Sequence, residues 1–319
     1  MPDDIRGQSP LNPDKFRRAD ITADGAERAA VALNRLHTLW FNTGTLCYLT
    51  CVNCYIESSP RNDRLAYLGL DEVRAYLDEI TEQNLGVREI GFTGGEPFMN
   101  PQILDMLELC FMRGFEVLVL TNAMKPMHYK KDRLLGLRRD YGDRFNLRVS
   151  VDHHSQELHE ELRGPGSWRP MIEGLEWLAA NGFNIAAAGR ARWDEDADRA
   201  RGAYADLFRR HDIDIDAHDA IQLVLFPEMD ATLDVPEITT ACWDILGVSP
   251  DAMMCATSRM VVRRKGAPAP VVLPCTLLPY DTEFEMGSDL ASSNHRVPLN
   301  HPHCARFCVL GGGACSVPE

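Results

Sequence analysis

The sequence predicts an α/β fold built on a parallel sheet that is covered on both faces. Three observations carry this. Six short strand-like runs alternate with helical stretches between residues 36 and 226. Most of these runs are continuously apolar, as expected of parallel strands buried on both sides. The alternation stops near Pro227, and the tail beyond it is rich in proline and holds six of the ten cysteines, five of them from Cys255 on.

The elements follow in order. The first apolar run, residues 36–41, ends just before a cysteine loop. Leu70, Val73, Leu77 and Ile80 then recur at helical spacing. A second strand, 88–92, leads into Thr93-Gly94-Gly95-Glu96-Pro97. Asn100 offers a helix cap and Pro101 a first helical residue, ahead of a stripe of Ile103, Leu104, Leu107, Cys110 and Phe111 that Gly114 ends. A strand at 115–120, a helix around 130–139 and a strand at 146–151 come next. Ile172, Leu175, Leu178 and Ala179 mark a helix stopped by Gly182. The remaining elements are a strand at 185–189, a helix at 204–211 and a strand at 221–226. Periodicity alone does not separate an open doubly wound sheet from a barrel. In both, chemistry belongs at the carboxyl ends of the strands. The chain divides into a polar N-terminal extension (1–35), a core domain (36–226) and a loop-rich extension (227–319).

With 319 residues, 45% of them hydrophobic, the chain can bury a large core. A formal net charge of −14 argues against a general binder of nucleic acid or anionic membrane. No apolar run reaches the roughly 18 residues of a membrane span. Residues 1–35 lack the apolar centre of a signal peptide. The expected location is therefore cytoplasmic, a reducing compartment where grouped cysteines favour ligation over disulfides. No repeat or low-complexity segment stands out.

Cys47, Cys51 and Cys54 form a C-x3-C-x2-C loop directly after the first strand. Three thiolates can hold a cubane cluster and leave one iron open, whereas electron-transfer clusters take four. A structural zinc would need a fourth ligand, and no histidine lies close by in the sequence. Gly94 and Gly95 after the second strand permit close backbone approach, and Glu96 adds an anionic acceptor.

These two motifs resemble those of the radical S-adenosylmethionine (radical SAM) enzymes, apart from Asn53, where the family usually has an aromatic residue. The resemblance implies a partial (β/α)6 TIM-type barrel carrying a [4Fe–4S] cluster on Cys47, Cys51 and Cys54. It implies that Gly94, Gly95, Glu96 and Pro97 contact the methionyl group of S-adenosylmethionine. More weakly, it points to Ser150 for the ribose, Arg190 for the methionine carboxylate and Asn122 as a further contact, with Arg163-Gly164-Pro165-Gly166-Ser167 as a related stretch. The tail, with Cys255, Cys275, Cys304, Cys308 and Cys315, looks like the SPASM or twitch extension that holds an auxiliary iron–sulfur cluster. Cys255, Cys275, Cys308 and Cys315 are the preferred ligands and Cys304 the competitor; zinc is the alternative occupant. The implied reaction is reductive cleavage of S-adenosylmethionine to a 5′-deoxyadenosyl radical that takes hydrogen from a substrate, either a small molecule or a peptide. An electron donor such as flavodoxin or ferredoxin is the implied partner. The competing functions are a non-catalytic iron–sulfur or zinc module and a methyl transferase. Cys110 and Cys242 read as core residues, His153 and His154 as structural histidines, His301 and His303 as loop residues with metal ligation as the alternative, and Asp212, Asp214, Asp216 and Asp219 as a solvated face.

Overall fold

A computed structural model describes residues 9–191 and 195–313. After a short strand β1 (Ala30–Val31), the six expected strands appear as β2 (Thr38–Asn42), β3 (Glu89–Thr93), β4 (Glu116–Thr121), β5 (Phe145–Ser150), β6 (Asn184–Ala191) and β7 (Leu223–Pro227), each parallel to the next. The connecting helices are α1 (Leu70–Glu82), α2 (Ile103–Met112), α3 (Lys125–His128), α4 (Lys131–Tyr141), α5 (Gln156–Arg163), α6 (Trp168–Ala180) and α7 (Ala197–Arg210). The result is a partial TIM-type barrel. Helices α3 and α5 are additions to the sequence reading. The helix begins at Ile103 with Gln102 as its cap, two residues later than the sequence suggested; the Asn100 side chain accepts Gln102 N–H at 2.9 Å and donates to the Thr43 and Leu68 carbonyls.

The extension enters the sheet. Strand β8 (Ser258–Val262) lies parallel against β2, and β9 (Val271–Leu273) lies antiparallel against β8, giving the order β7-β6-β5-β4-β3-β2-β8-β9. A last short strand, β10 (Val297–Pro298), pairs with β1, and a buried Arg28–Glu237 ion pair at 2.5 Å joins the same two ends of the chain. A short helix, α8 (Cys242–Leu246), lies on the extension. Residues 9–35 thus pack as part of the tail's fold.

The two-residue period of the strands positions the site. Along β5, Leu147, Val149 and Val151 are fully buried. Arg148, Ser150 and Asp152 alternate with them and line a cleft at the carboxyl ends of the strands. Cys110 is fully buried on the apolar face of α2, as expected of a core thiol. Among the described residues no helix is long and apolar enough to cross a membrane.

Candidate active site

The cysteine loop leaves β2 and is pinned along its length. Cys47 N–H donates to Ser59 O at 3.1 Å and Val52 N–H to Leu162 O at 2.8 Å. Val52 O accepts from Arg190 Nη1 at 2.9 Å. Asn53 has φ 51°, a left-handed conformation that asparagine tolerates. Its amide donates to Glu228 Oε1 at 2.6 Å, so the departure from an aromatic residue ties the loop to the segment after β7.

The glycine turn packs against the start of this loop. Gly95 N–H donates to Gly44 O at 2.8 Å and Glu96 N–H to Leu46 O at 3.2 Å. A Cβ on Gly95 would lie 2.2 Å from Leu46 O, and one on Gly94, at φ +132°, would lie 2.6 Å from Gly44 O. The close approach that the sequence suggested for a ligand is, in the first place, an approach to the cysteine loop. Glu96 is buried and does not line the cleft. Its carboxylate accepts from Thr121 Oγ1 at 2.9 Å, Asn122 N at 2.9 Å and Phe98 N at 3.1 Å. Burial pushes its pKa up to about 6 against these three bonds. Glu96 therefore braces the turn against the end of β4. Pro97 is buried in the next turn, also behind the wall. Among the described residues the carbonyls of Gly94 and Gly95 accept no hydrogen bond.

The cleft, about 1100 Å³ counted to its open mouth, brings together Cys47, Cys51, Cys54, Gly94, Gly95, Asn122, Ser150 and Arg190. Burial pushes the Cys47 thiol up to about 12, and the Glu96 carboxylate adds to the shift. Burial raises Cys51 too. Such thiols ionise only beside a compensating positive charge, which bound iron supplies. Asn122 Nδ2 lies 4.0 Å from Cys47 Sγ, and Asn122 Oδ1 accepts from the Tyr48 hydroxyl at 3.1 Å.

The site has one constellation that the sequence reading did not assemble. Asp152 takes a two-pronged contact from Arg163, Nε at 2.8 Å and Nη2 at 3.2 Å, and lies 3.7 Å from Arg190 Nη2. Burial opposes the charge on Asp152, but Arg163 and then Arg190 more than offset it and hold the carboxyl below its usual range. Arg148 also lines the cleft and was missed, although its odd–even phase with Ser150 was a usable signal.

A second, apolar cavity is lined by Cys255, Cys275, Cys304 and Cys308 together with Leu277, which also lines the main cleft. Cys304 and Cys308 share a single turn of π-helix (Cys304–Val309), whose i→i+5 bonding keeps residues four to five apart on one face. Cys315 lies outside the described residues. Buried Arg259 stands beside this group, donating from Nη1 to Cys255 O at 2.7 Å, and its Nη2 has no partner among the described residues. A cluster bearing anionic sulfur would satisfy that donor. Single zinc ions hold sulfurs about 3.8 Å apart, from Zn–S bonds of about 2.3 Å. Among the described residues, three ligand atoms all within 4.8 Å of one another occur at His153, His154 and Glu195, and neither cysteine set is gathered so tightly. Cys242 is apart from them, its sulfur 3.4 Å from Thr239 N.

The histidine group is a hydrogen-bond cluster. His153 Nδ1 lies 2.9 Å from Ser155 N–H and 2.8 Å from the Ser155 hydroxyl, and its Nε2 faces Glu195 Oε2 at 3.2 Å.

Residues 41–189 match the family model described as the Radical SAM superfamily. The antilisterial bacteriocin subtilosin biosynthesis protein AlbA of Bacillus subtilis is 26% identical over 172 residues, 54% of this chain and 36% of AlbA. The AdoMet-dependent heme synthase of Methanosarcina barkeri is 29% identical over 140 residues, 43% of this chain and 37% of that protein. The match thus spans little more than a third of these relatives. The crystal structure of Streptococcus suis SuiB bound to S-adenosylmethionine shares the fold, with a TM-score of 0.57 at 14% identity, over 80% of this chain and 63% of SuiB.

Proposed function

From residues 41–189, which belong to the radical SAM superfamily, we propose an enzyme in which Cys47, Cys51 and Cys54 hold a [4Fe–4S] cluster beside S-adenosylmethionine. Bound together, the two supply one-electron cleavage of a carbon–sulfur bond and, from it, a carbon radical able to take hydrogen from a substrate. The protein's share is to bind, orient and exclude water. The carbonyls of Gly94 and Gly95 are open acceptors for the methionyl ammonium. Arg190, with Asp152 and Arg163 behind it, offers a guanidinium for the carboxylate, and Ser150 and Asn122 offer polar contacts along the same wall. Ile56, Phe226, Met229, Leu277 and Phe307 form an apolar wall that keeps water from a reacting carbon. The observation that carries this reading is the convergence of the three-cysteine loop and the glycine turn on one cleft.

The substrate belongs to the rest of the chain. Relatives that share this domain are named for tasks as different as bacteriocin biosynthesis and heme synthesis. We assign the choice of substrate, peptide or small molecule, to residues 227–313. We further propose that Cys255, Cys275, Cys304 and Cys308 hold an auxiliary iron–sulfur cluster.

The test is anaerobic reconstitution with iron and sulfide, followed by dithionite and S-adenosylmethionine. Wild type should release 5′-deoxyadenosine, and Cys51→Ala should release none. S-adenosylhomocysteine as the product would instead indicate methyl transfer. For the second site, Cys304→Ala and Cys308→Ala should each lower bound iron by roughly half, as expected when one of two four-iron groups is lost. Iron kept in Cys304→Ala but lost in Cys315→Ala would put Cys315 in the ligand set.

A further inference from the structure

The chain has five lysines, and three of them, Lys125, Lys130 and Lys131, fall within seven residues after β4. The other two are paired, Lys15 with Asp234 at 2.8 Å and Lys265 with Asp63. Among the described residues none of the three clustered lysines has a carboxylate within ion-pair distance; Lys125 lies 5.7 Å from the Tyr129 ring centre and Lys131 4.8 Å from that of Trp177. Tyr129, in their midst, is 74% exposed. Arg133 borders the patch but is neutralised by Asp105 at 2.8 Å and Glu108 at 3.2 Å. Lys125 is exposed, Lys130 and Lys131 are half-buried, and exposed Asp132 follows them, so the stretch carries a net positive charge. A protein with a net charge of −14 repels acidic macromolecules over most of its surface, and such a locally basic stretch is where one can settle.

Its position selects the partner. Residues 123–133 contribute nothing to the cleft lining, so a molecule on the patch does not occupy the cleft, although Asn122, just before them, lines it. Lys125 opens α3, and the residue before it, Met124, donates its N–H to Asn122 Oδ1 at 3.1 Å. The other end of the same carboxamide, Nδ2, is 4.0 Å from Cys47 Sγ. One side chain therefore connects the basic face with a cysteine of the main loop.

We propose that the Lys125–Lys131 face docks an acidic one-electron carrier protein and that Asn122 is the short link from that face to the cysteine site. The inference rests on the function proposed above, which needs one electron from outside per turnover. One electron leaves the carrier's reduced centre and one is taken up on the enzyme side for each carbon–sulfur bond cleaved. No proton or group crosses the interface.

The experiment uses the full chain and an acidic flavodoxin as probe. Binding of oxidised flavodoxin is measured by calorimetry at low salt for wild type, for K125E/K130E/K131E and for the matching glutamine set. Charge reversal should weaken binding about tenfold or more and the glutamine set less, and added salt should weaken wild type alone. With flavodoxin hydroquinone as donor, 5′-deoxyadenosine formation should fall in the same order, while dithionite-driven formation stays at the wild-type rate. Unchanged flavodoxin binding overturns the proposal, as does an equal loss with dithionite in both sets. A variant that binds the carrier normally but loses an acidic substrate also overturns it, assigning the face to substrate. Wild type inert with dithionite would sink the reading beneath it, and the calorimetry would still report on docking separately.

Discussion

Gly95→Ala is expected to remove nearly all cluster from the main site. The added methyl group would sit 2.2 Å from Leu46 O and 2.9 Å from Thr45 C, which are backbone atoms of the cysteine loop's entry. No rotamer change relieves a clash between two backbones, so the loop must move. Overpacking of this kind costs about 1–3 kcal/mol, and the upper end applies where nothing flexible yields. A displacement of about 1 Å at a reacting site can cost roughly a hundredfold in rate. Iron analysis and 5′-deoxyadenosine release measure both effects. Gly91→Ala is the control, because its methyl group would meet the Trp40 ring at 2.3 Å inside the barrel, away from the loop. It should lower stability comparably and keep its iron. Equal iron loss in the two variants would show that the glycine turn has no special hold on the cysteines.

That contrast also shows where the sequence speaks and where it does not. The six parallel strands were legible because most are short apolar runs set off by turn residues and all alternate with helical stretches, and a cysteine loop and a glycine turn at successive strand ends mark the site. Strand β8 was not legible. Its sequence, Ser258 to Val262, includes Arg259 and lies in the proline-rich tail, where no strand–helix alternation marks it as part of the sheet. The structure buries that arginine fully by giving it the carbonyls of Cys255, Ser258 and Ser293. Partners up to 34 residues away are invisible to local pattern. The same holds for residues 9–35, whose polar composition reads as a separate extension, while Lys15 pairs with Asp234 and β1 with β10. The four described auxiliary cysteines could be grouped from sequence but not apportioned. It is the cavity that adds Cys304 to Cys255, Cys275 and Cys308.

Removal of Asp152, whose partners only the folded structure brings together, should be the most damaging single change outside the cysteines and glycines. Asp152→Asn leaves the partly buried Arg163 and Arg190 guanidiniums beside each other in the cleft wall without their shared, buried anion. Breaking a buried pair on one side costs about 3–5 kcal/mol. The damage should spread to the loop, because Leu162, next to Arg163, accepts from Val52 N and Arg190 donates to Val52 O. A lower urea midpoint together with reduced iron uptake is the expected result. The pH dependence identifies the cause. The Asp152 pKa is held below its unfolded value, near 3.9 for a free aspartate, so its contribution is fully present above that value and is lost as pH falls through the lower, folded one. Wild type should therefore lose stability below about pH 4 more steeply than Asp152→Asn, which has already lost that contribution. Asp152→Asn curves parallel to wild type down to acid pH would mean that the carboxylate is not carrying the charge of the two arginines. The wall that holds Val52 between Cys51 and Cys54 would then owe its order to packing alone.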